Sequence, residues 1–141
     1  MSARALGPTA PNRRIELSLV LRPRRPLQEL EMRLGQQQPP LTREQFAALY
    51  GADPADIQKV ESFARRHGLE LVEVSAPRRT VRVAGRARDL AALFGVQLLD
   101  FEDADGTRFH APNEEPRLPD ELKDIVQGVF GFDTRPRARR L

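Results

Sequence analysis

Residues 14–21, R-I-E-L-S-L-V-L, place an apolar side chain at every second position. Successive side chains of an extended chain point to opposite sides, so Ile15, Leu17, Leu19 and Leu21 share one face. This period of two predicts a β-strand with one buried face, and the prolines that follow mark its end. The chain must therefore contain a sheet whose apolar side is covered by other elements.

Helical signals lie between this strand and further strand signals. Thr42 and Gln45 can form a capping box, in which each side chain bonds the other residue's free backbone N–H. Asp53 is suited to cap the next helix, and Pro54 fits its first turn. The spacing of apolar residues predicts helices over residues 26–34, 42–50, 53–67 and 86–94, and a last helix that opens at 119.

The remaining strands complete a recognisable order. Asp105-Gly106 indicates a hairpin, because the tightest hairpin turn needs positive φ at both central residues. The succession of a strand, helices, two strands, a helix and a strand is typical of an α+β, ferredoxin-like fold. It predicts an antiparallel sheet with helices packed on one face, plus short added helices and a hairpin. Further strands are predicted over residues 69–75, 79–84, 96–102, 107–110 and 128–132.

The length of 141 residues suits one domain, and 40% hydrophobic with 30% charged residues is a globular balance. We predict a disordered tail over residues 1–12, one folded domain over 13–134, and a basic tail over 135–141. Residues 1–12 lack the apolar segment of a signal peptide. No apolar run approaches the roughly 20 residues that a membrane-spanning helix needs, so no membrane partner is expected. The compartment is left open.

The net charge of +3 arises from the two ends of the chain. Residues 1–25 carry a net charge of +5 and residues 134–141 carry +4, whereas the region between them carries −6. A nucleic-acid-binding domain places its basic patch on the folded body. The distribution therefore argues against a nucleic-acid partner.

No catalytic constellation can be recognised in the sequence. There are no cysteines, which excludes disulfides and thiol nucleophiles. His67 and His110 lie in different predicted elements, which favours structural or surface roles over a metal pair. None of the four serines lies in a nucleophile elbow, and no phosphate-binding loop is present. We predict a protein that is not an enzyme, with no catalytic residue, cofactor or metal.

Two charged segments allow several interpretations. The cluster Asp100, Glu102, Asp103 and Asp105 can in principle bind Ca²⁺ or transfer protons, but solubilising turn chemistry is the simpler explanation. A further hypothesis is an acid-sensitive contact with a partner. The basic end, R-P-R-A-R-R-L, fits a nucleic-acid contact, a solvated tail or a protease-accessible segment, and we favour the last.

Five segments occur in a specific order along the chain. They are L-T-R-E-Q-F-A-A-L-Y-G (41–51), D-I-Q-K-V-E-S-F-A-R-R-H-G-L (56–69), L-V-E-V-S-A-P-R-R-T-V-R-V-A-G (71–85), A-A-L-F-G-V-Q-L (91–98) and L-P-D-E-L-K-D-I-V-Q-G-V-F-G-F-D-T-R-P (118–136). Together they resemble the activation domain, or propeptide, of the sedolisin (kumamolisin-like) serine-carboxyl peptidases. The opening R-I-E-L-S-L-V-L-R-P and P-L-Q-E-L also match that family.

The resemblance implies a ferredoxin-like propeptide fold, with residues 13–134 as the activation domain. It implies a folding chaperone and inhibitor of a sedolisin-type peptidase, released by acid-triggered cleavage. The partner is then the peptidase catalytic domain, in cis or in trans, and the free domain is expected to be monomeric. The family's catalytic Ser, Glu and Asp belong to a following domain of several hundred residues, which these 141 residues do not contain.

The resemblance implies that the segment after G-F-D-T-R-P (131–136) is the linker that leads into the active-site cleft of the peptidase. Phe130 is expected in the core, and the solvent face of the sheet with the flanking helix ends is expected to dock. Two arginines at a strand-entry turn are candidates to anchor carboxylates of the partner, beside simple surface charge. The candidate partner-binding residues are Arg78, Arg79, Phe132, Asp133, Thr134, Arg135 and Pro136.

Three other functions remain open at this point. A nucleic-acid-binding module needs exposed aromatic residues on the sheet beside basic ones, and the central strands offer only Phe101. A small enzyme needs a nucleophile, metal set or phosphate loop that the sequence does not assemble. An interaction or assembly domain that reuses the propeptide fold is the main alternative.

Overall fold

The computed structural model describes residues 3–36 and 39–136. Within these residues the chain forms two antiparallel sheets, four α-helices and one short 3-10 helix at Asp120–Leu122. The strands are β1 Arg4–Pro8, β2 Arg14–Leu21, β3 Glu70–Ser75, β4 Thr80–Arg86, β5 Leu98–Glu102, β6 Arg108–Pro112 and β7 Val126–Phe130. The helices are α1 Gln28–Gly35, α2 Arg43–Tyr50, α3 Pro54–Arg66 and α4 Ala87–Leu93.

The larger sheet has the order β3-β4-β2-β7, and every neighbouring pair in it is antiparallel. Helices α1, α2 and α3 connect β2 to β3, and α4 follows β4. This is the split βαβ order of the ferredoxin-like fold, in which the two strands joined by a helical crossover have a third strand between them. The predicted fold class is confirmed.

Strand β2 has the two-sided character that its sequence predicts. Ile15, Leu17, Leu19 and Leu21 are all buried, and the residues between them are partly exposed. Leu17 and Leu19 pair with Val83 and Val81 of β4, so the apolar faces of the two central strands coincide. This face and the helices α3 and α4 form one hydrophobic core.

The helix starts follow their capping chemistry. The Thr42 side chain accepts the Gln45 N–H, and the Gln45 side chain accepts the Thr42 N–H, which completes the predicted capping box. The Asp53 carboxylate accepts the Ala55 N–H at 2.9 Å, as expected for the cap of α3. Each cap satisfies backbone donors that a helix N-terminus leaves without partners.

The N-terminal residues correct one prediction. Residues 4–8 were expected in a disordered tail, but they form β1, which pairs with β5 in a second sheet of order β1-β5-β6. The Arg4 guanidinium lies 2.7 Å from the Glu102 carboxylate across this pair. The Pro- and Gly-rich composition concealed the strand, because backbone pairing with the open edge of β5, and not an apolar pattern, holds it in place. The predicted tail residues 1–2 lie outside the described residues.

The hairpin between β5 and β6 also differs in detail from the expectation. Its turn is closed by the Gly106 N–H, which donates to the Asp103 carbonyl at 2.9 Å. Gly106 has a φ of +85°, whereas Asp105 does not have positive φ. The hairpin therefore has the three-residue type of loop, in which one residue with left-handed φ follows the turn. It does not have the two-residue turn, in which both central residues need positive φ.

The end of the domain brings a second correction. The helix predicted from residue 119 is only the 3-10 turn Asp120–Leu122, and β7 begins at Val126. Phe130, expected in the core, is 58% exposed, while Phe132 is 3% exposed. The reversal comes from Gly131, whose φ of +123° turns the chain after β7 and directs Phe132 inwards. The Phe132 ring packs edge-on against Phe94, with 5.6 Å between ring centroids.

Gly131 also passes very close to β2. A Cβ at this position would lie 2.3 Å from the Glu16 carbonyl oxygen, whereas a Cβ at Gly7, with a similar φ of +129°, would meet no atom within 4 Å.

We predict that Gly7→Ala lowers the free energy of unfolding by no more than about 1–3 kcal/mol, through backbone strain. Gly131→Ala should lower the free energy of unfolding by at least about 1 kcal/mol more than Gly7→Ala does, because its Cβ would clash with the Glu16 carbonyl. Urea denaturation of both variants tests this, and equal losses would contradict the close approach.

One buried carboxylate joins three parts of the fold. Asp56, in the first turn of α3, is 5% exposed and accepts two hydrogen bonds from the Arg22 guanidinium, at 2.9 and 3.2 Å. The Arg22 backbone N–H donates to the Ile125 carbonyl at 2.8 Å. This ion pair, through the hydrogen bonds that Arg22 donates to Asp56, raises the pKa of the Arg22 guanidinium. It ties the end of β2 to α3 and to the entry of β7.

Removal of Arg22 should leave the Asp56 carboxylate buried without its partner. We predict that Arg22→Ala lowers the free energy of unfolding by about 1–3 kcal/mol, less than for a fully buried pair because Arg22 itself is half-exposed. Arg25→Ala is the matched control, since the Arg25–Glu29 pair is exposed on both sides and should contribute no more than about 0.5 kcal/mol. Chemical denaturation measures both, and equal effects would contradict the special role of Arg22.

Candidate partner-binding surface

The larger sheet exposes a flat face on the side opposite α3 and α4, which we call the outer face. Its centre is a chain of alternating charges across three strands. Arg14 on β2 contacts Glu70 on β3 at 2.8 Å and Glu16 on its own strand at 3.5 Å. Arg82 on β4 contacts Glu16 at 3.4 Å and Glu73 on β3 at 3.2 Å. These two arginines and three glutamates give the centre of the face a net charge of −1.

The pairing on the outer face is internally satisfied and open to solvent. The Glu70 carboxylate hydrogen-bonds to Arg14 and thereby raises the pKa of that guanidinium. Exposed pairs of this kind contribute little to stability, because water screens them. They do fix the positions of both signs of charge, which favours recognition of a complementary surface over binding of a single ion.

Phe130 lies at the β7 edge of the outer face. It pairs in register with Ser18 of β2, one of the outward-facing positions, and it is 58% exposed. Its ring lies across Gly128, where an added Cβ would approach the ring carbons to 2.9 Å. A large aromatic side chain held on an exposed strand, beside charged neighbours, is the type of residue that anchors protein interfaces.

Sequence reasoning missed Phe130 for a definite reason. The strand was placed at residues 128–132, and in that register Phe130 and Phe132 share a face with the core. The alternation of β2 offered a signal, because Ser18 must point outwards, but which residue pairs with Ser18 depends on the antiparallel register of a distant strand.

Arg78 and Arg79 lie in the turn between β3 and β4, and only one of them is exposed. The Arg79 guanidinium donates to the Leu21 carbonyl at 2.9 Å and to the Gln127 side chain at 3.3 Å. Arg79 also has a φ of +55°, a left-handed conformation that is uncommon for arginine. Its side chain thus joins the ends of β2 and β7, whereas Arg78 is available to a partner.

The predicted exit segment, residues 132–136, does not extend freely from the domain. Phe132 is buried in the core, so its predicted contact with a partner would require this segment to separate from the domain first. Asp133, Thr134, Arg135 and Pro136 are exposed, yet the segment runs along β6 of the smaller sheet. Residues 137–141 of the predicted basic tail lie outside the described residues.

The acidic cluster before the hairpin is occupied by partners within the chain. Asp100 accepts the Thr9 hydroxyl at 2.8 Å, Glu102 contacts Arg4, and Asp103 contacts Arg135 at 2.8 Å. Asp105 accepts the Thr107 N–H at 2.9 Å, which lowers the pKa of this carboxyl. Among the described residues, no group of three or more carboxylate, histidine or cysteine side chains is arranged to hold a metal ion.

Comparison with known proteins identifies the family of this domain. The model of the Pro-kumamolisin activation domain matches residues 2–135. The chain belongs to the pro-kumamolisin activation domain family. Kumamolisin from Bacillus sp. (strain MN-32) is 34% identical over 140 residues, which cover 94% of this chain and 25% of that protein. Tripeptidyl-peptidase sed5 from Aspergillus fumigatus is 26% identical over 168 residues, which cover 96% of this chain and 29% of that protein.

The resemblance noted from the sequence is thereby confirmed at the level of the family. The chain spans about a quarter of the length of the curated relatives it matches. The matched region is an activation domain, and the catalytic domain of the family is not among these 141 residues. None of the described helices is both long and apolar enough to cross a membrane.

The ion pair between Arg66 and Glu121 makes the stability of this activation domain depend on pH. Arg66 hydrogen-bonds to Glu121 and holds the pKa of that carboxyl below its ordinary value of 4.5. The unfolded chain then binds the proton more tightly, so the pair stabilises the fold above pH 4.5 and this contribution is lost as the pH falls through the lowered pKa.

We therefore expect the free energy of unfolding to decrease between about pH 5 and pH 3, close to the reference carboxyl pKa values. Glu121→Gln should make this decrease shallower. Urea denaturation at a series of pH values measures the slope, with Glu114→Gln as the control, since Glu114 and Arg117 are 3.8 Å apart. An unchanged slope in Glu121→Gln would contradict the assignment.

Proposed function

We propose that this domain is a propeptide that docks on a kumamolisin-type peptidase domain, assists its folding and inhibits it until cleavage in acid releases the domain. The observation that carries the proposal is the family match over residues 2–135, joined to an exposed anchor residue on the outer face. The peptidase is either the continuation of the same chain or a separate molecule.

The outer face supplies the docking surface in this proposal. Phe130 provides the apolar anchor, and the alternating charges of Arg14, Glu16 and Arg82 fix the orientation of the partner. Aromatic anchors surrounded by polar pairs carry most of the binding energy in many protein interfaces. Arg78, at the adjoining β3–β4 turn, is exposed and serves as a further contact for a carboxylate.

Assistance with folding follows from such docking by mass action. A domain that binds only the native peptidase lowers the free energy of the native state relative to the unfolded state. The activation domain can act as such a template because its own core is complete, with β2 and β4 buried against α3 and α4. We therefore expect it to fold without the peptidase.

Release in acid follows from the charges on the outer face. At neutral pH its central arginines and glutamates carry a net charge of −1, and full protonation of Glu16, Glu70 and Glu73 would leave Arg14 and Arg82 with +2. Carboxylates that pair with basic residues of the peptidase would lose that attraction at the same time. Affinity should therefore weaken in acid, which exposes the connection between the domains to cleavage.

The anchor role of Phe130 can be tested by inhibition of a mature kumamolisin-type peptidase. We predict that Phe130→Ala weakens inhibition at neutral pH by about 10- to 100-fold, as expected for an aromatic anchor of an interface. The variant should lose no more than about 0.5 kcal/mol of folding stability, because the side chain is exposed. Inhibition constants at pH 7 and pH 4 measure both affinity and its dependence on acid.

Met32→Ala is the matched control, since Met32 is 65% exposed and lies in α1 and not in the sheet. It should leave the inhibition constant within about twofold of the original, as expected for an exposed residue outside an interface anchor. No inhibition by the unaltered domain at either pH would overturn the proposal and favour an interaction domain with a different partner. Inhibition that is equal at both pH values would overturn the acid-release step alone.

A further inference from the structure

Residues 132–135, which we call the strap, cross from the larger sheet to the smaller sheet. Gly131 ends β7, and Phe132 then enters the core against Phe94 of the α4 C-terminus. Because Phe132 is buried, the segment cannot leave the domain without opening a hole in the core. The strap is therefore anchored at its first residue.

His110 on β6 hydrogen-bonds to the middle of the strap through its backbone N–H, its carbonyl and its imidazole. The His110 N–H donates to the Thr134 hydroxyl, and the Thr134 N–H donates to the His110 carbonyl, both at 2.9 Å. The imidazole Nδ1 lies 2.7 Å from the Phe132 carbonyl oxygen, so this nitrogen carries the proton and donates it. The ring is 9% exposed, and its burial protects this bond from competition with water.

Arg135 closes the far end of the strap. Its guanidinium donates to the Asp103 carboxylate at 2.8 Å and lies 5.1 Å above the centre of the Phe109 ring. The Phe109 ring itself stacks on Phe101 of β5 at 5.3 Å. The Arg135 N–H donates to the Asp133 carboxylate at 2.9 Å, which folds the end of the strap locally. Backbone and side-chain contacts thus hold the segment against β6 and the hairpin turn, and Phe132 holds it in the core.

We propose that the strap is a releasable latch, which keeps the bonds between Phe132 and Pro136 out of reach of peptidases while the domain is folded. A peptidase must bind several residues of its substrate in an extended, accessible form. Here the carbonyl of Phe132, the N–H of Thr134 and the N–H of Arg135 are all engaged within the domain. Cleavage in this segment therefore requires that the strap first separates from β6, with a rate set by the population of the open form.

The latch would lower the affinity for the proposed peptidase partner, but it does not depend on the proposed function. If the same residues enter the cleft of a peptidase, only the fraction of molecules with an open strap can bind in that way. The apparent affinity for the peptidase is then the intrinsic affinity multiplied by the open fraction. Chymotrypsin, which cleaves after phenylalanine and is unrelated to the proposed partner, tests the latch separately from inhibition.

The test compares chymotrypsin cleavage after Phe132 in the unaltered 141-residue chain and in the double variant Thr134→Val with Asp103→Asn. Valine removes the hydroxyl that accepts from His110 but keeps the backbone, and asparagine removes the charge that holds Arg135. We expect cleavage after Phe132 to rise about 10-fold or more, since each lost hydrogen bond raises the open population about fivefold. Mass spectrometry identifies and times each cut.

Two internal references separate opening of the strap from unfolding of the domain. Phe63 is a core residue of α3, 2% exposed, so cleavage after it reports global unfolding. Glu102→Gln is the matched control, since Glu102 adjoins Asp103 but contacts Arg4 of β1. Cleavage after Phe132 that is already faster than cleavage after Phe63 in the unaltered chain, and that rises in the double variant but not in the control, supports the latch. Equal rates after Phe132 in all three proteins, or cleavage after Phe132 that is no faster than cleavage after Phe63, would overturn it.

Discussion

Strand β2 lies between β4 and β7, and one of its faces is completely buried. Leu17, Leu19 and Leu21 each have at most 1% of their surface exposed, and they face the core formed with α3 and α4. A strand of this kind cannot shift by one residue, because the shift would move every leucine into water. The register of β2 therefore determines which residues of β4 and β7 point outwards. The charge pattern and the aromatic anchor of the outer face both follow from that register.

The first and last described segments meet at the smaller sheet. Strand β1 pairs with β5, and the strap lies on β6, so each of these segments is held by its own strand of the β5–β6 hairpin. The acidic residues before the turn share this task, since Glu102 contacts Arg4 and Asp103 contacts Arg135. Arg4 and Arg135 thus both pair with acidic residues of the same hairpin. The net charge of +3 conceals this separation of charge along the chain.

The sequence led us to expect docking by the solvent face of the sheet and entry of the exit segment into the cleft, and the structure leaves only the first of these two parts open. The outer face keeps an aromatic residue and both signs of charge exposed, which suits a partner surface. The strap places Phe132, Thr134 and Arg135 in contacts within the domain. A propeptide with this arrangement can bind through a rigid sheet while its exit segment stays closed. Gly131 makes the division possible, because only a residue without Cβ can turn at that distance from Glu16.

Local patterns were sufficient to predict the capping box, the α3 cap and the one-sided strand β2, because each depends on residues a few positions apart. The succession of strands and helices along the chain was sufficient to predict the fold class. The family likewise followed from the order of several segments. Three features depended on the tertiary structure. Strand β1 pairs with the open edge of β5, Phe130 points outwards because β7 pairs with Ser18, and the strap is held by His110 together with the contacts of Phe132 and Arg135. In each case the deciding partner is distant in sequence, and its position is set by packing, which no local pattern records.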